Sequence, residues 1–266
     1  MLDGLTRGWS ASAVDFGKDE VSAHVAECSG MDTYMDPGLV ESAAHNNAGW
    51  CDTICRLHGI VGEFGADAWT SATRTPTHYP DAVTLRRSVD PGSLLDGLDS
   101  SAGCSVKDCF ADLDLGSWGF DTLFEAPWLV RHRDPGVPPR SSAQWSPVRD
   151  QATLTSWELA RGSGGAEGAA FPLGLLASPG LVVLAAIVDE SIVGGAVLNR
   201  GAGVASLANL FAPGLDLADA FSGAAAAAGR LHPGIPLVGY ETGEFLDGAE
   251  RAGFEPFGSL TVWIRN

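Results

Sequence analysis

The sequence predicts an α/β (α+β) protein, and three observations carry that prediction. From Leu181 to Asn266 the pattern reads as three strands in series, a helix, a strand, a short helix and a closing strand. From Leu39 the residues Val40, Ala43, Ala44, Trp50, Cys51, Ile54, Leu57 and His58 recur at helical spacing, and Gly59 follows as a natural helix terminator. The chain has 266 residues, of which 45% are hydrophobic, enough apolar surface for one large domain or two small ones.

The elements follow in order. Residues 1–38 mix Gly, Ser and Asp with scattered apolar residues and read as an irregular segment. After the first helix, "DAVTLRR" (81–87) predicts a short strand. Asp90 before Pro91 is a capping pattern that opens a helix over "PGSLLDGLDS". "CSVKDCF" and "FDTLFEAPWLVRH" alternate as strands, joined by "ADLDLGSWG". The stretch "RDPGVPPRSSAQWSP" (133–147) is rich in Pro, Ser and Gly and reads as a linker, its body at 135–147. That places an α/β region at 39–134 and a second unit at 148–266. In the second unit "SPVRDQATLTSWELARG" predicts a helix ending at Gly162, and "GSGGAEGAA" a loop. Three strands follow, turning at "DES" and "NRGAG". Then come the helix "LDLADAFSGAAAAAGRL", the strand "IPLVGYET", the helix "GEFLDGAERAG" and the strand "SLTVWIR".

Charge excludes some classes of function. The net charge is −17, with 21 acids against 9 bases up to Asp134 and 12 against 7 after it. Such a surface repels phosphate backbones, so no nucleic-acid partner is expected. It either attracts a cationic substrate or simply keeps the protein soluble. No apolar run is long enough to span a membrane, and the amino terminus carries acids instead of a basic, apolar leader, so a cytoplasmic protein is expected. Two lysines against fourteen arginines is the codon signature of a GC-rich bacterial genome. Five cysteines without an export signal read as reduced thiols.

The order of elements over about 148–266, with "AGF" after a short helix and a closing strand that ends in Trp263, resembles the GNAT acyltransferase superfamily. The resemblance implies a mixed, mostly antiparallel sheet flanked by helices. Residues 39–134 repeat a similar rhythm, as either a degenerate GNAT-like half of a tandem protein or an extension that packs on the second unit. The resemblance further implies an acyl group moved from acetyl-CoA or another acyl-CoA to a small-molecule amine. It also implies a bulge in the strand "ASLANLFA" whose backbone amides, at Asn209, Leu210 and Phe211, face the thioester carbonyl. Such a role needs only backbone N–H groups.

Two features depart from the family pattern. The family holds the pyrophosphate of its cofactor on amides at the start of the helix after that strand, within a loop of Gln or Arg and glycines. Helix dipole and free N–H groups make such a site. Here the segment is "NLFAPGLDLADAFSG": Gly214 is the only glycine before the helix, and Asp216 and Asp219 stand at its start. They read as an N-cap and a first-turn acid, and their charge opposes an anion. The tyrosine that protonates the leaving thiolate in many members is replaced by Ala249, which leaves that role to Tyr240 or to another residue. A GNAT-like ligand-binding or regulatory module that does not bind CoA is therefore the alternative to an acyltransferase.

The remaining candidates each carry two readings. Glu241, at the end of "IPLVGY", is either a general base for the amine or a solvent-facing strand-end acid. Glu125, beside Phe124 and near Trp128, is a second candidate base, or a carboxylate open to solvent or paired with an arginine. Lys107 and Asp108 face opposite sides of a strand, and Lys107 is expected to pair with Glu125 or to hold a ligand phosphate. Cys51, Cys55 and His58 share a helical face, where core packing is favoured over a metal or a Cys–His pair, so no metal is expected. His78 and Tyr79 lie in a loop between prolines, where such residues can line a cleft, and the sequence leaves that open.

Overall fold

The structure, a computed structural model, describes residues 37–132, 141–162 and 171–266. Nearly all of the segment read as irregular (1–38) and of the glycine-rich loop after Gly162 lies outside the described residues. The elements in chain order are α1 (Pro37–Leu57), β1 (Glu63–Phe64), β2 (Ala68–Thr70), β3 (Ala82–Thr84), α2 (Pro91–Leu95), β4 (Ser105–Asp108), β5 (Asp121–Arg131) and β6 (Gln144–Pro147). They continue with α3 (Gln151–Ala160), β7 (Leu181–Val188), β8 (Ser191–Gly201), β9 (Val204–Phe211), α4 (Leu217–Leu231), β10 (Leu237–Tyr240), α5 (Gly243–Arg251) and β11 (Glu255–Ile264).

The eleven strands form one sheet in the order β1-β2-β3-β4-β11-β5-β10-β9-β8-β7-β6. Neighbours are antiparallel except β3–β4 and β9–β10, which run parallel across the helices α2 and α4. The order reads as two arms. Each arm has a three-strand meander, a crossover helix and a parallel strand. The last long strand of each half, β5 or β11, crosses into the other half's sheet, and the two pair with each other along most of their length. The sheet therefore runs without a break through both halves. The segment read as linker supplies an edge strand, since Gln144–Pro147 pair with Leu184–Ile187 of β7.

The local chemistry explains the elements. Asp90, Asp150 and Asp216 cap α2, α3 and α4 by accepting backbone N–H bonds from Ser93, Thr153 and both Ala218 and Asp219. The two turns of the meander β7-β8-β9 are two residues long. Asp189–Glu190 and Ala202–Gly203 all have positive φ, the conformation that matches strand twist in tight hairpins. The hairpin β1–β2 was not expected from sequence, because two- and three-residue strands have too few residues to show alternation.

Both faces of the sheet are covered. Helices α1 and α3 bury one face with Trp69, Val83, Trp128, Val183, Phe211 and Val262. On the other, α4 and α5 cover Leu184, Leu198, Leu207 and Leu237, and α2 covers Ala82 and Val106. Asn46 fixes α1 on the hairpin β8–β9. Its amide donates to the carbonyls of Asn199 (3.0 Å) and Gly201 (3.1 Å), and Asn199 Nδ2 donates back to Asn46 Oδ1 (3.1 Å). Removing it leaves buried carbonyls without donors. Asn46→Ala is expected to cost about 2 kcal/mol and to lower Tm by about 5 °C in a thermal melt; an unchanged Tm would show that α1 docks by apolar contact alone.

Candidate functional site

The site begins where β9 and β10 part. Only Ala205–Leu237 and Ser206–Val238 pair between them, although β9 runs on to Phe211 and β10 to Tyr240. Beyond that pair β10 stays with β5, matching Gly239 to Leu129 and Tyr240 to Trp128. Opposite the opening, β9 carries a bulge. Two steps on β8, from Gly195 to Val197, face three on β9, from Phe211 back to Ala208. Asn209 takes the extra position with φ of +53°, in the left-handed region that Asn tolerates better than most residues. Gly195 is glycine because a Cβ there would lie 2.1 Å from Trp157 Nε1. The bulge expected at Asn209, Leu210 and Phe211 is thus present, with Leu210 and Phe211 buried on opposite faces of the sheet.

α4 begins at Leu217, shortly after β9 ends at Phe211. The Asp216 carboxylate accepts from Ala218 N (2.9 Å) and Asp219 N (3.3 Å), and Arg251 lies 3.3 Å from its Oδ2. The Asp219 N–H, joined by Arg251 and the Ala218 N–H, holds the Asp216 carboxyl below its ordinary value. Asp219 in turn accepts from the backbone N–H of Ser142 (3.1 Å) and from its hydroxyl. Burial works to raise the Asp219 carboxyl, but the bonds from Ser142 and Ser141 outweigh it and hold it low. Two first-turn amides of α4 are therefore already bonded to the chain's own carboxylate. Gly214, expected to touch a cofactor, has a packing reason to be glycine: a Cβ would lie 2.9 Å from the Val193 side chain.

On the α1 face of the sheet a second feature comes together. Lys107 of β4 extends to β10, where its Nζ lies 2.8 Å from Tyr240 Oη and 4.6 Å from the ring centroid. The same Nζ donates to Asn47 Oδ1 of α1 at 3.1 Å. Trp128 stands edge-on to Tyr240 at 5.5 Å, and its indole donates to Cys109 O at 2.8 Å. Lys107 is 3% exposed and Glu241 2%. Burial disfavours the Lys107 ammonium, but coupling to Tyr240 and Cys51 outweighs it and the pKa lies above the ordinary lysine value. Burial also raises Tyr240, with Lys107 pulling it back. At neutral pH the pair is an ammonium donating to a neutral phenol. Burial, outweighing the pull of Lys107, pushes the Cys51 thiol up to about 11 and the Cys109 thiol higher, so neither is a thiolate.

These positions settle several expectations. Lys107 does not pair with Glu125. Strand pairing puts Lys107, Val262 and Phe124 on one face, and Asp108, Thr261 and Glu125 on the other. Glu125 is exposed there, so it does not share a cluster with Tyr240 and Glu241. Lys107 and Asp108 are both buried; the latter accepts backbone N–H bonds from Phe110, Asp112 and Leu113. Cys51 and Cys55 are core thiols, and His58 is exposed past the end of α1. Tyr79 packs 6.2 Å from Trp50, which with Phe171, Trp157 and Phe211 makes an aromatic wall beside the cluster. Asn47 was missed in the sequence, although it lies four residues from both Ala43 and Cys51 on the apolar stripe of α1. A polar residue on such a stripe is the available signal.

No protein-family description matches the chain, and no curated protein matches it. Solved structures do. A GCN5-related N-acetyltransferase from Kribbella flavida matches with a TM-score of 0.61 at 14% identity, over 87% of this chain and 96% of that one. A conserved protein of unknown function from Staphylococcus epidermidis matches with a TM-score of 0.52 at 12% identity, over 77% and 93%. At such identities the likeness shows the fold: this chain has the fold of the GCN5-related N-acetyltransferases.

Two predictions follow from these environments. A buried ammonium without a carboxylate partner is not kept for stability, so Lys107→Met is expected to leave Tm unchanged or higher, read by calorimetry; a large fall would make Lys107 a structural residue. Burial, reinforced by Arg161 at His78 and Arg200 at His232, lowers both imidazoles from 6.5. Their protonation opposes the folded state, so the stability present above pH 6.5 is lost as pH falls through their lower folded values. A Tm that does not fall on acidification below pH 6.5 would contradict this.

Proposed function

We propose that this protein is a small-ligand-binding module built on the N-acetyltransferase fold, which does not hold coenzyme A by its pyrophosphate. The observation that carries this reading is the Asp216 carboxylate on the amides of Ala218 and Asp219. An anion placed there competes with an intramolecular carboxylate and meets a second one at Asp219. Arg251 is already turned to Asp216, and among the described residues no lysine lies near the helix start. The residues present do not fit the pyrophosphate group, so the opening between β9 and β10 and the cluster beneath α1 serve another ligand.

One observation favours a second reading, acyl transfer to a small amine. The bulge at Asn209 and the parting of β9 from β10 are retained together with the buried Glu241 at the end of β10. In that reading Glu241 takes the proton of the amine, Tyr240 stands beside it, and the thioester donor is held without the amides of Ala218 and Asp219.

Titration calorimetry of the full chain with coenzyme A and acetyl-CoA separates the two. No heat is expected up to about 1 mM ligand. The double variant Asp216→Ser, Asp219→Ala keeps a capping hydroxyl and removes both charges, and measurable binding is expected to appear in it. Micromolar binding by the unaltered chain would overturn the proposal.

A further inference from the structure

Lys107 is a cation at the centre of a packed apolar layer. It sits among Val83, Trp128, Val262 and the stripe of α1, and both of its hydrogen-bond acceptors, Asn47 Oδ1 and Tyr240 Oη, are neutral. No carboxylate forms an ion pair with it among the described residues: Asp81 is taken by Arg74, Asp52 by Arg56 and Trp69, and Asp108 faces the other side of the sheet. Among the described residues its Nζ has these two acceptors and no third. Burying an ammonium is costly, and a neutral pair of acceptors offsets only part of that cost. Arginines and carboxylates are matched elsewhere in the structure, at Arg74–Asp81, Arg86–Asp67 and Arg161–Glu158.

The surroundings of Lys107 have the character of a recognition site. Its two acceptors come from different elements, α1 and β10, and both keep slight exposure, 8% at Asn47 and 7% at Tyr240. Tyr240 stands where β10 has left β9, so the cluster borders the opening between those strands. The half-buried Tyr79 and the wall of Trp50 and Phe171 continue the apolar lining beside it.

We propose that Lys107, with Asn47 and Tyr240, is the anion-binding point of this protein and takes the carboxylate of a small, partly apolar ligand. A monoanion cancels the single buried charge, whereas a phosphate dianion would leave a net negative charge in an apolar layer. The Asn47 amide adds a neutral donor to the second carboxylate oxygen. The inference rests on the reading that the site serves a ligand other than coenzyme A, and it names the chemistry of that ligand.

The chain has only two lysines, Lys18 and Lys107, so lysine-selective isotope labelling gives two side-chain signals in the intact protein. Lys107→Arg assigns them. Acetate is the first probe, with inorganic phosphate and methylammonium as comparators. The expected result is a saturable movement of the Lys107 signal with acetate, with Kd in the range of about 1–100 mM for so small a probe, while Lys18 stays still. Asn47→Ala is expected to weaken that movement about tenfold, and methylammonium to produce none. An unmoved Lys107 signal, equal movement of both lysines, or an undiminished response in Asn47→Ala overturns the anion point. Phosphate binding as tightly as acetate overturns the choice of a carboxylate. Binding of coenzyme A in the calorimetric experiment would instead sink the reading beneath, without moving Lys107, so the two failures are distinct.

Discussion

Everything in this molecule hangs on the exchange of two strands at the centre of the sheet. β5 leaves the first half to lie between β11 and β10, and β11 leaves the second to lie between β4 and β5. Their antiparallel pairing runs from Glu255–Val130 to Ile264–Asp121. Because β10 takes β5 as its partner along all four residues, it is drawn off β9 after two pairs, and that parting is the opening of the site. The same exchange brings β4 close enough for Lys107 to reach Tyr240, three strands away in the sheet order. Each half's sheet is continued by the last long strand of the other.

The bulge and the helix start are governed by different constraints. The bulge at Asn209 is backbone geometry, held by the close packing of Gly195 against Trp157 and Phe211, and the fold retains it whatever the ligand. The helix start is chemistry that a single side chain can change. An aspartate at the cap satisfies two donors from within, stabilises α4 by about 1 kcal/mol, and removes the free N–H groups that an anion would need. A helix that caps itself is in that sense the opposite of a helix that waits for a phosphate.

Much of the second unit was legible in the sequence because its strands are long enough to show a period and its turns carry positive-φ residues or caps. Asp216 could be read as an N-cap, and Asn209 to Phe211 as the bulge position, since both depend on local sequence. What escaped depends on pairing between distant segments. "QWSP" looks like linker until β7 offers it an edge, and the hairpin at Glu63–Thr70 is too short to alternate. For Glu125 the local sequence left a buried base and a solvent-open carboxylate both standing, and only strand pairing puts it, exposed, on the face opposite Lys107. The partnership of Asn47, Lys107 and Tyr240 spans residues 60 and 133 positions apart, which no local pattern could join.

The account turns on whether the amides at the start of α4 are taken. The direct measurement is the pair of backbone amide resonances of Ala218 and Asp219, followed while inorganic pyrophosphate is added at neutral pH and again as Asp216 is protonated. The account predicts two unmoved resonances with pyrophosphate, and movement of both only as acid removes the carboxylate charge. Saturable movement with pyrophosphate at neutral pH would contradict it and return the helix start to the binding of a phosphate-bearing cofactor.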